Sequence, residues 1–216
     1  MKKVCIVGLG YVGLPLARQF VRGGASVLGL DIDRSKVDIL SRGESFIRHI
    51  PSSEIAEMNA TGRFEATTDF SRVNGVDAVI ICVPTPLSKQ REPDLSFVVS
   101  TATSIAPHLS KGTVVSLEST TYPGTTDGEL REALEKGSGL VAGEDFHLVY
   151  SPEREDPGNA KSVEKIPKLL GGLTEKCRDR GLEIYSAAID SIVPVASCRV
   201  AEAAKLTENI FRSVNI

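Results

Sequence analysis

Tryptophan is absent from the 216 residues, and aromatic side chains of all kinds make up only 5% of them. Platforms that stack nucleic-acid bases depend on such side chains, so nucleic acid is not an expected partner. Charge agrees with this: 25 basic residues face 28 acidic ones, a net of −3, with no basic block or tail. A polyanion or an anionic membrane surface would call for one. No apolar stretch approaches the ~20 residues of a membrane helix. The opening MKKVCIVGLG sets two lysines before an apolar run, but Gly8 and Gly10 interrupt it and no small-residue cleavage site follows, unlike a secretory signal. Cys5, Cys82, Cys177 and Cys198 are far apart and form no CxxC. That spacing speaks against structural zinc and for a reduced, cytoplasmic chain. His49, His108 and His147 are isolated, without a nucleophile elbow beside them, and are expected to be structural.

What is present is alternation. Strand-like runs occur at KVCIVGL, SVLGLDI, DAVIICV, TVVSLES, FHLVYS and SIVPVAS, and helix-like segments such as GLPLARQFVRGG, LSFVVSTATSIAPHL and GELREALEKG lie between most of them. Such alternation predicts an α/β fold, Rossmann-like and doubly wound around a mainly parallel sheet. The stretch RGESFIRHIPSSEIAEMNATGRFEATTDF is read as irregular, with a weak helical signal over 53–58. One domain is expected over residues 1–196, followed by a helix over 197–216. Ser197 suits its N-cap, and Val200, Ala204, Thr207, Phe211 and Val214 form an apolar stripe at helical spacing. Glu202, Lys205, Asn209 and Arg212 fall on the other side.

The first chemical motif is Gly8-Leu-Gly10-Tyr11-Val12-Gly13, directly after a strand and opening an amphipathic helix. Gly8 suits the tight turn, Gly10 admits a pyrophosphate to the backbone, and Gly13 lets helix and strand approach. The helix N-terminus supplies N–H groups and partial positive charge. Asp31 ends the next strand, eighteen residues after Gly13, where a carboxylate accepts from ribose hydroxyls and repels a 2′-phosphate. NAD is therefore favoured over NADP, although Arg34 and Lys36 lie nearby. Ligands of this fold sit beyond the carboxyl ends of the strands, which singles out VPTPL with Val83, Pro84 and Thr85, ESTTYPGTT with Thr120, and YSPEREDPGN with Glu153.

Taken together, GLGYVGLPLA, DIDRSKV, CVPTP, ESTTYPGTT, SPER and AAKLTENIFRSVNI resemble the UDP-glucose/GDP-mannose dehydrogenase family along the whole chain, as its N-terminal portion. The spellings GESFIRHI, ESTTYPGTT and SPEREDPGN are most similar to the branch acting on UDP-N-acetylhexosamines, with UDP-N-acetylglucosamine 6-dehydrogenases nearest. The resemblance implies NAD-dependent oxidation of a C6 alcohol to a carboxylate in two hydride transfers, through a thioester. It places Glu153 as the carboxylate assisting water, Thr120 as its holder, and Lys205 with Asn209 as the pair stabilising an oxyanion. It implies a cofactor cleft lined by Gly8, Gly10, Tyr11, Val12, Gly13, Asp31, Lys36, Val83, Pro84, Thr85, Thr120 and Glu153, and no metal.

Two departures stand out. A second glutamate of the UDP-glucose branch is replaced here by Pro157, and Glu155 and Asp156 have no assigned role. The family's nucleophilic cysteine lies in a GGxC segment, and none of the four cysteines has that context. The chain is thus expected to lack a C-terminal UDP-sugar-binding part and to be inactive alone in the full reaction. The resemblance also implies a homodimer or higher homo-oligomer and a product destined for polysaccharide synthesis. Two other readings stand beside it: a non-catalytic NAD-binding or regulatory module, and another Rossmann dehydrogenase of hydroxyacid or 6-phosphogluconate type. SPER and the Lys205/Asn209 helix have no place in the last.

Overall fold

A computed structural model describes residues 1–87, 93–153 and 167–215. The chain enters the middle of the sheet. The strands are β1 (Lys3–Val7), β2 (Ser26–Leu30), β3 (Phe64–Thr67), β4 (Ala78–Ile81), β5 (Val114–Leu117), β6 (His147–Tyr150), β7 (Lys168–Gly172) and β8 (Ile192–Val195). They lie in the order β3-β2-β1-β4-β5-β6-β7-β8. All neighbours are parallel except β6 and β7. After β3 the chain crosses back to place β4 beside β1, so the strand order reverses there and opens the crevice expected of a doubly wound sheet.

The helices are α1 (Gly13–Arg22), α2 (Arg34–Ser41), α3 (Ser52–Ala60), α4 (Ser96–Ile105), α5 (Arg131–Ser138), α6 (Glu175–Tyr185) and α7 (Cys198–Asn215). In β1, Val4 and Ile6 join one core with Leu14, Phe20 and Tyr185, while Cys5 and Val7 join the other with Leu117, Leu134 and Tyr150. Alternate residues of a strand point to opposite faces, so a strand covered on both faces is apolar throughout. Among the described residues no helix is long and apolar enough to cross a membrane.

The segment read as irregular holds both α3 and β3. FEAT is short, lies at the sheet edge and is buried only at Phe64, so it carries little apolar signal. The strand KLLGG was also not among the strand-like runs, because glycines weaken a strand's apolar signal. Their side-chain positions are closed by backbone: a Cβ at Gly171 would stand 2.1 Å from Ser197 O, and one at Gly172 2.3 Å from Arg178 N. The antiparallel turn of β7 matters for chemistry. It returns the first residue of that strand, Lys168, to the edge at which β5 and β6 end.

Candidate active site at the carboxyl edge

Gly8 has φ +94°, and a Cβ there would lie 2.7 Å from Cys82 O. A side chain is thus excluded by both conformation and space. A Cβ on Gly13 would meet Gly8 O at 1.8 Å, so helix and turn touch. Gly10 differs: nothing stands within 4 Å of its Cβ position. The backbone there faces open space at the start of α1, which has no side-chain cap and no acid in its first turn. That combination fits a diphosphate. Tyr11 is exposed and stacks on His49 at 5.8 Å between centroids.

Asp31 is only 6% exposed and accepts from Leu9 N (2.9 Å), Asp33 N (3.0 Å) and Lys36 Nζ (3.4 Å). Its carboxylate is thereby fixed just past β2, where the ribose of a dinucleotide lies. The two nearby bases are engaged, Lys36 with Asp31 and Arg34 with Asp38 at 3.2 Å. This weakens the case for a 2′-phosphate.

Beyond β4 and β5 the loops are stitched together. Thr85 Oγ1 donates to Thr120 O at 2.7 Å, and Ser119 Oγ donates to Val83 O at 2.6 Å. Pro84 and Thr120 are exposed on this edge, and Val83 and Thr85 are half-buried. Glu153, three residues after β6, is half-buried and pairs with Lys168 at 3.9 Å. Residues 154–166, which include Glu155, Asp156 and Pro157, lie outside the described residues.

Beneath Glu153 is a polar cluster that sequence reading missed. Glu118 Oε2 accepts from Lys168 Nζ at 2.6 Å, and its other oxygen accepts from Tyr185 OH. Ser116 Oγ lies 2.8 Å from that hydroxyl, and Lys168 Nζ also donates to Pro152 O at 3.3 Å. Burial pushes the Glu118 carboxyl up from 4.5 to about 7, with Lys168 opposing. Burial alone would lower Lys168, but Glu118 and Glu153 outweigh it and hold the ammonium above its usual range. The one available signal was Glu118 itself, a carboxylate at the end of the apolar run TVVSL.

A carboxyl raised in the native state stabilises the fold below its unfolded pKa and loses that contribution as pH rises through the native value. The window for Glu118 therefore runs from 4.5 to about 7. Glutamine at this position does not titrate. Urea melts of the wild type and Glu118→Gln should show the wild type losing stability relative to the variant across that window. Parallel stability curves across that window would show that folding does not raise the Glu118 carboxyl.

The terminal helix turns its polar stripe inward. Cys198, Ala201, Glu202 and Lys205 are buried, and Asn209 is half-buried on the same side. Val200, Leu206, Ile210, Phe211 and Val214 are exposed. The side of the helix that carries Glu202 and Lys205 is therefore buried rather than solvated. The reason is Glu202, which accepts from Gly124 N (2.7 Å), Thr126 N (2.9 Å) and Thr126 Oγ1 (2.7 Å). It caps the helical turn Thr126–Leu130 leading into α5, and Arg199 adds a bond to Asp127 at 2.7 Å. Ser197 accepts from Val200 N at 3.3 Å, as a capping serine does. Glu202 thus ties the helix bearing Lys205 and Asn209 to the loop bearing Thr120. No sequence spacing announced it, since its partners lie 76 and 78 residues away. Among the described residues no group of His, Cys, Asp and Glu is arranged to hold a metal.

The profile of the UDP-glucose/GDP-mannose dehydrogenase family, NAD binding domain, matches residues 2–189. UDP-N-acetyl-D-mannosamine dehydrogenase of Escherichia coli K12 is 37% identical over 222 residues, covering 99% of this chain and 52% of that protein. UDP-N-acetyl-D-glucosamine 6-dehydrogenase of Pseudomonas aeruginosa is 38% identical over 216 residues, covering 99% of this chain and 50% of that protein. The solved structure of a UDP-D-ManNAc dehydrogenase from Pyrococcus horikoshii superposes with a TM-score of 0.92 at 33% identity, over 99% of this chain and 51% of that one. The chain spans about half the length of the curated relatives it matches.

Proposed function

The chain belongs to the UDP-glucose/GDP-mannose dehydrogenase family, and from that membership we propose that it serves as the NAD-binding portion of a UDP-N-acetylhexosamine 6-dehydrogenase. NAD is its cofactor, and when bound it accepts hydride from the substrate. UDP-N-acetylglucosamine is our proposed substrate, carried to its uronic acid in two oxidations. Relatives acting on the glucosamine and mannosamine forms stand at 38% and 37% identity; the GESFIRHI and SPEREDPGN spellings favour the former.

The observation that carries the reading is the open Gly10 turn at the sheet's switch point, with the fixed Asp31 carboxylate beside it. Around that cleft the chain's own residues take the following roles. Gly8, Gly10, Tyr11, Val12 and Gly13 hold the diphosphate, and Asp31 with Lys36 orients the adenosine ribose. Val83, Pro84, Thr85 and Thr120 line the nicotinamide end. Thr120 holds a water, and Glu153 removes its proton as it attacks the acyl carbon. Lys205 and Asn209 stabilise the oxyanion, a cation and an amide donor on one helix face. Residues 1–196 form the NAD-binding domain, and 197–216 begin the helix that leads toward the UDP-sugar-binding part of the whole enzyme. The exposed apolar residues of α7 support a homodimer or higher homo-oligomer. The enzyme works in the cytoplasm, on a nucleotide sugar destined for polysaccharide synthesis.

Asp31 gives the direct test. Hydrogen bonds to a charged acceptor contribute about 1.5–3 kcal/mol, so NADP(H) should bind at least ~10-fold more weakly than NAD(H). Asp31→Ala should bring the two affinities together by weakening NAD. Equal calorimetric affinities in the unmodified chain would overturn the cofactor assignment.

A further inference from the structure

Lys168 takes part in none of the steps above. We propose that it is a positioning residue for Glu153, holding that carboxylate and the Pro152 carbonyl at the edge where Thr120 stands. The proposal rests on Glu153 being the carboxylate that serves hydrolysis.

Lys168 Nζ donates to Glu118 at 2.6 Å and to Pro152 O at 3.3 Å, and it forms a longer ion pair with Glu153 at 3.9 Å. Tyr185 bonds the far oxygen of Glu118, and its ring lies 5.6 Å from the ammonium. The cation is thus locked from below and offers its remaining face to Glu153. The side chain of Lys168 is 7% exposed and that of Glu118 fully buried. Burying such a pair costs several kcal/mol per ion, and well-packed apolar residues would serve stability as well or better. The pair is therefore weakly explained by stability. Its place explains it better. Ser151 is already fixed on both sides, its N–H to Leu117 O at 3.0 Å and its Oγ to Leu169 O at 2.8 Å. The next two residues, Pro152 and Glu153, meet Lys168. Removing the cation should leave the sheet intact and loosen the end that carries Glu153.

The test uses the complete gene product with UDP-N-acetylglucosamine and NAD. Both hydride transfers precede hydrolysis, so Lys168→Met should leave the burst of NADH unchanged. It should lower the steady-state rate at least ~10-fold, within the range of a general base's contribution, and raise the covalent acyl-enzyme seen by intact-mass spectrometry. KM for NAD should stay constant, and Lys168→Arg should recover much of the rate. The paired Glu118→Gln/Lys168→Met variant removes both buried charges and should fold even where the single variant does not. It must show the same kinetic split. A steady-state rate within about twofold of wild type, or equal loss of burst and steady state, would overturn the proposal. Glu153→Gln separates the two ideas. If it leaves hydrolysis intact, the reading of Glu153 fails. If it blocks hydrolysis while the Lys168 variants do not, only the positioning role fails.

Discussion

Gly13→Ala should abolish NAD binding and lower the melting temperature, whereas Gly10→Ala should weaken binding and leave the fold unchanged. The two glycines lie in one turn, yet their surroundings differ. A Cβ on Gly13 would stand 1.8 Å from Gly8 O and 3.2 Å from Ile6 Cγ2. The oxygen belongs to backbone that is itself anchored, since Gly8 N–H donates to Leu30 O at 2.7 Å and the Gly8 Cβ position is blocked by Cys82. Alanine gains about 1 kcal/mol of helix propensity over glycine. Overpacking costs about 1–3 kcal/mol or more, and here it acts on backbone that cannot rotate away, so the steric effect wins. At roughly 2–4 °C per kcal/mol for a chain of this size, the melting temperature should fall by several degrees. Gly10 meets nothing within 4 Å, so its methyl is harmless until a diphosphate arrives. Its NAD affinity should then drop at least ~10-fold, the equivalent of 1.4 kcal/mol. Thermal melts and calorimetry on the two variants decide it. Wild-type NAD affinity in Gly10→Ala would mean that the diphosphate lies elsewhere.

The legible parts of this molecule were those with a local mechanism. Gly8, Gly10 and Gly13 occupy fixed offsets after a strand, and the Asp31 carboxylate follows at the next strand end, so turn and sheet could both be placed. Ser197 likewise marked the start of α7. Non-local contacts left no such trace. Glu118 and Lys168 stand fifty residues apart, and only the reversed direction of β7 brings them together. KLLGG hid because glycines usually weaken strands, while here they admit the backbone of Ser197 and Arg178. Glu202 lay on a recognised stripe, but its burial follows from backbone donors of the Thr126–Leu130 turn that periodicity does not report. Thr85 and Thr120 were expected at one edge, and their hydrogen bond joins the two loops. The catalytic roles of Thr120, Glu153, Lys205 and Asn209 came from resemblance, and chemistry must test them.

The 216-residue chain alone should bind NAD and yet form no uronate from UDP-N-acetylglucosamine. The four-electron oxidation needs a nucleophile that holds the aldehyde between hydride transfers, and a thiolate does so as a hemithioacetal and then a thioester. Cys198 lies nearest in sequence to Lys205, seven residues before it, yet the fold seals it off. Cys198 is 1% exposed, its thiol turned to the carbonyls of Gly171 and Leu148 and raised by burial and then by Glu202. Cys5 is fully buried in β1, its thiol pushed up to about 12 by desolvation, and Cys177 is buried at the start of α6, bonded to the capping Thr174. Cys82 is the one at the cofactor edge, half-buried just past β4 rather than sealed within it. Its side chain packs against the core beneath β1, and burial followed by Glu118 drives its thiol well above the usual value. A thiol so placed is not ionised near neutrality. With NAD and UDP-N-acetylglucosamine the purified chain should release no NADH, and native alkylation should leave Cys82 unmodified until the fold is opened. Two NADH per sugar, with a covalent adduct mapped to Cys82, would show that this edge carries its own nucleophile.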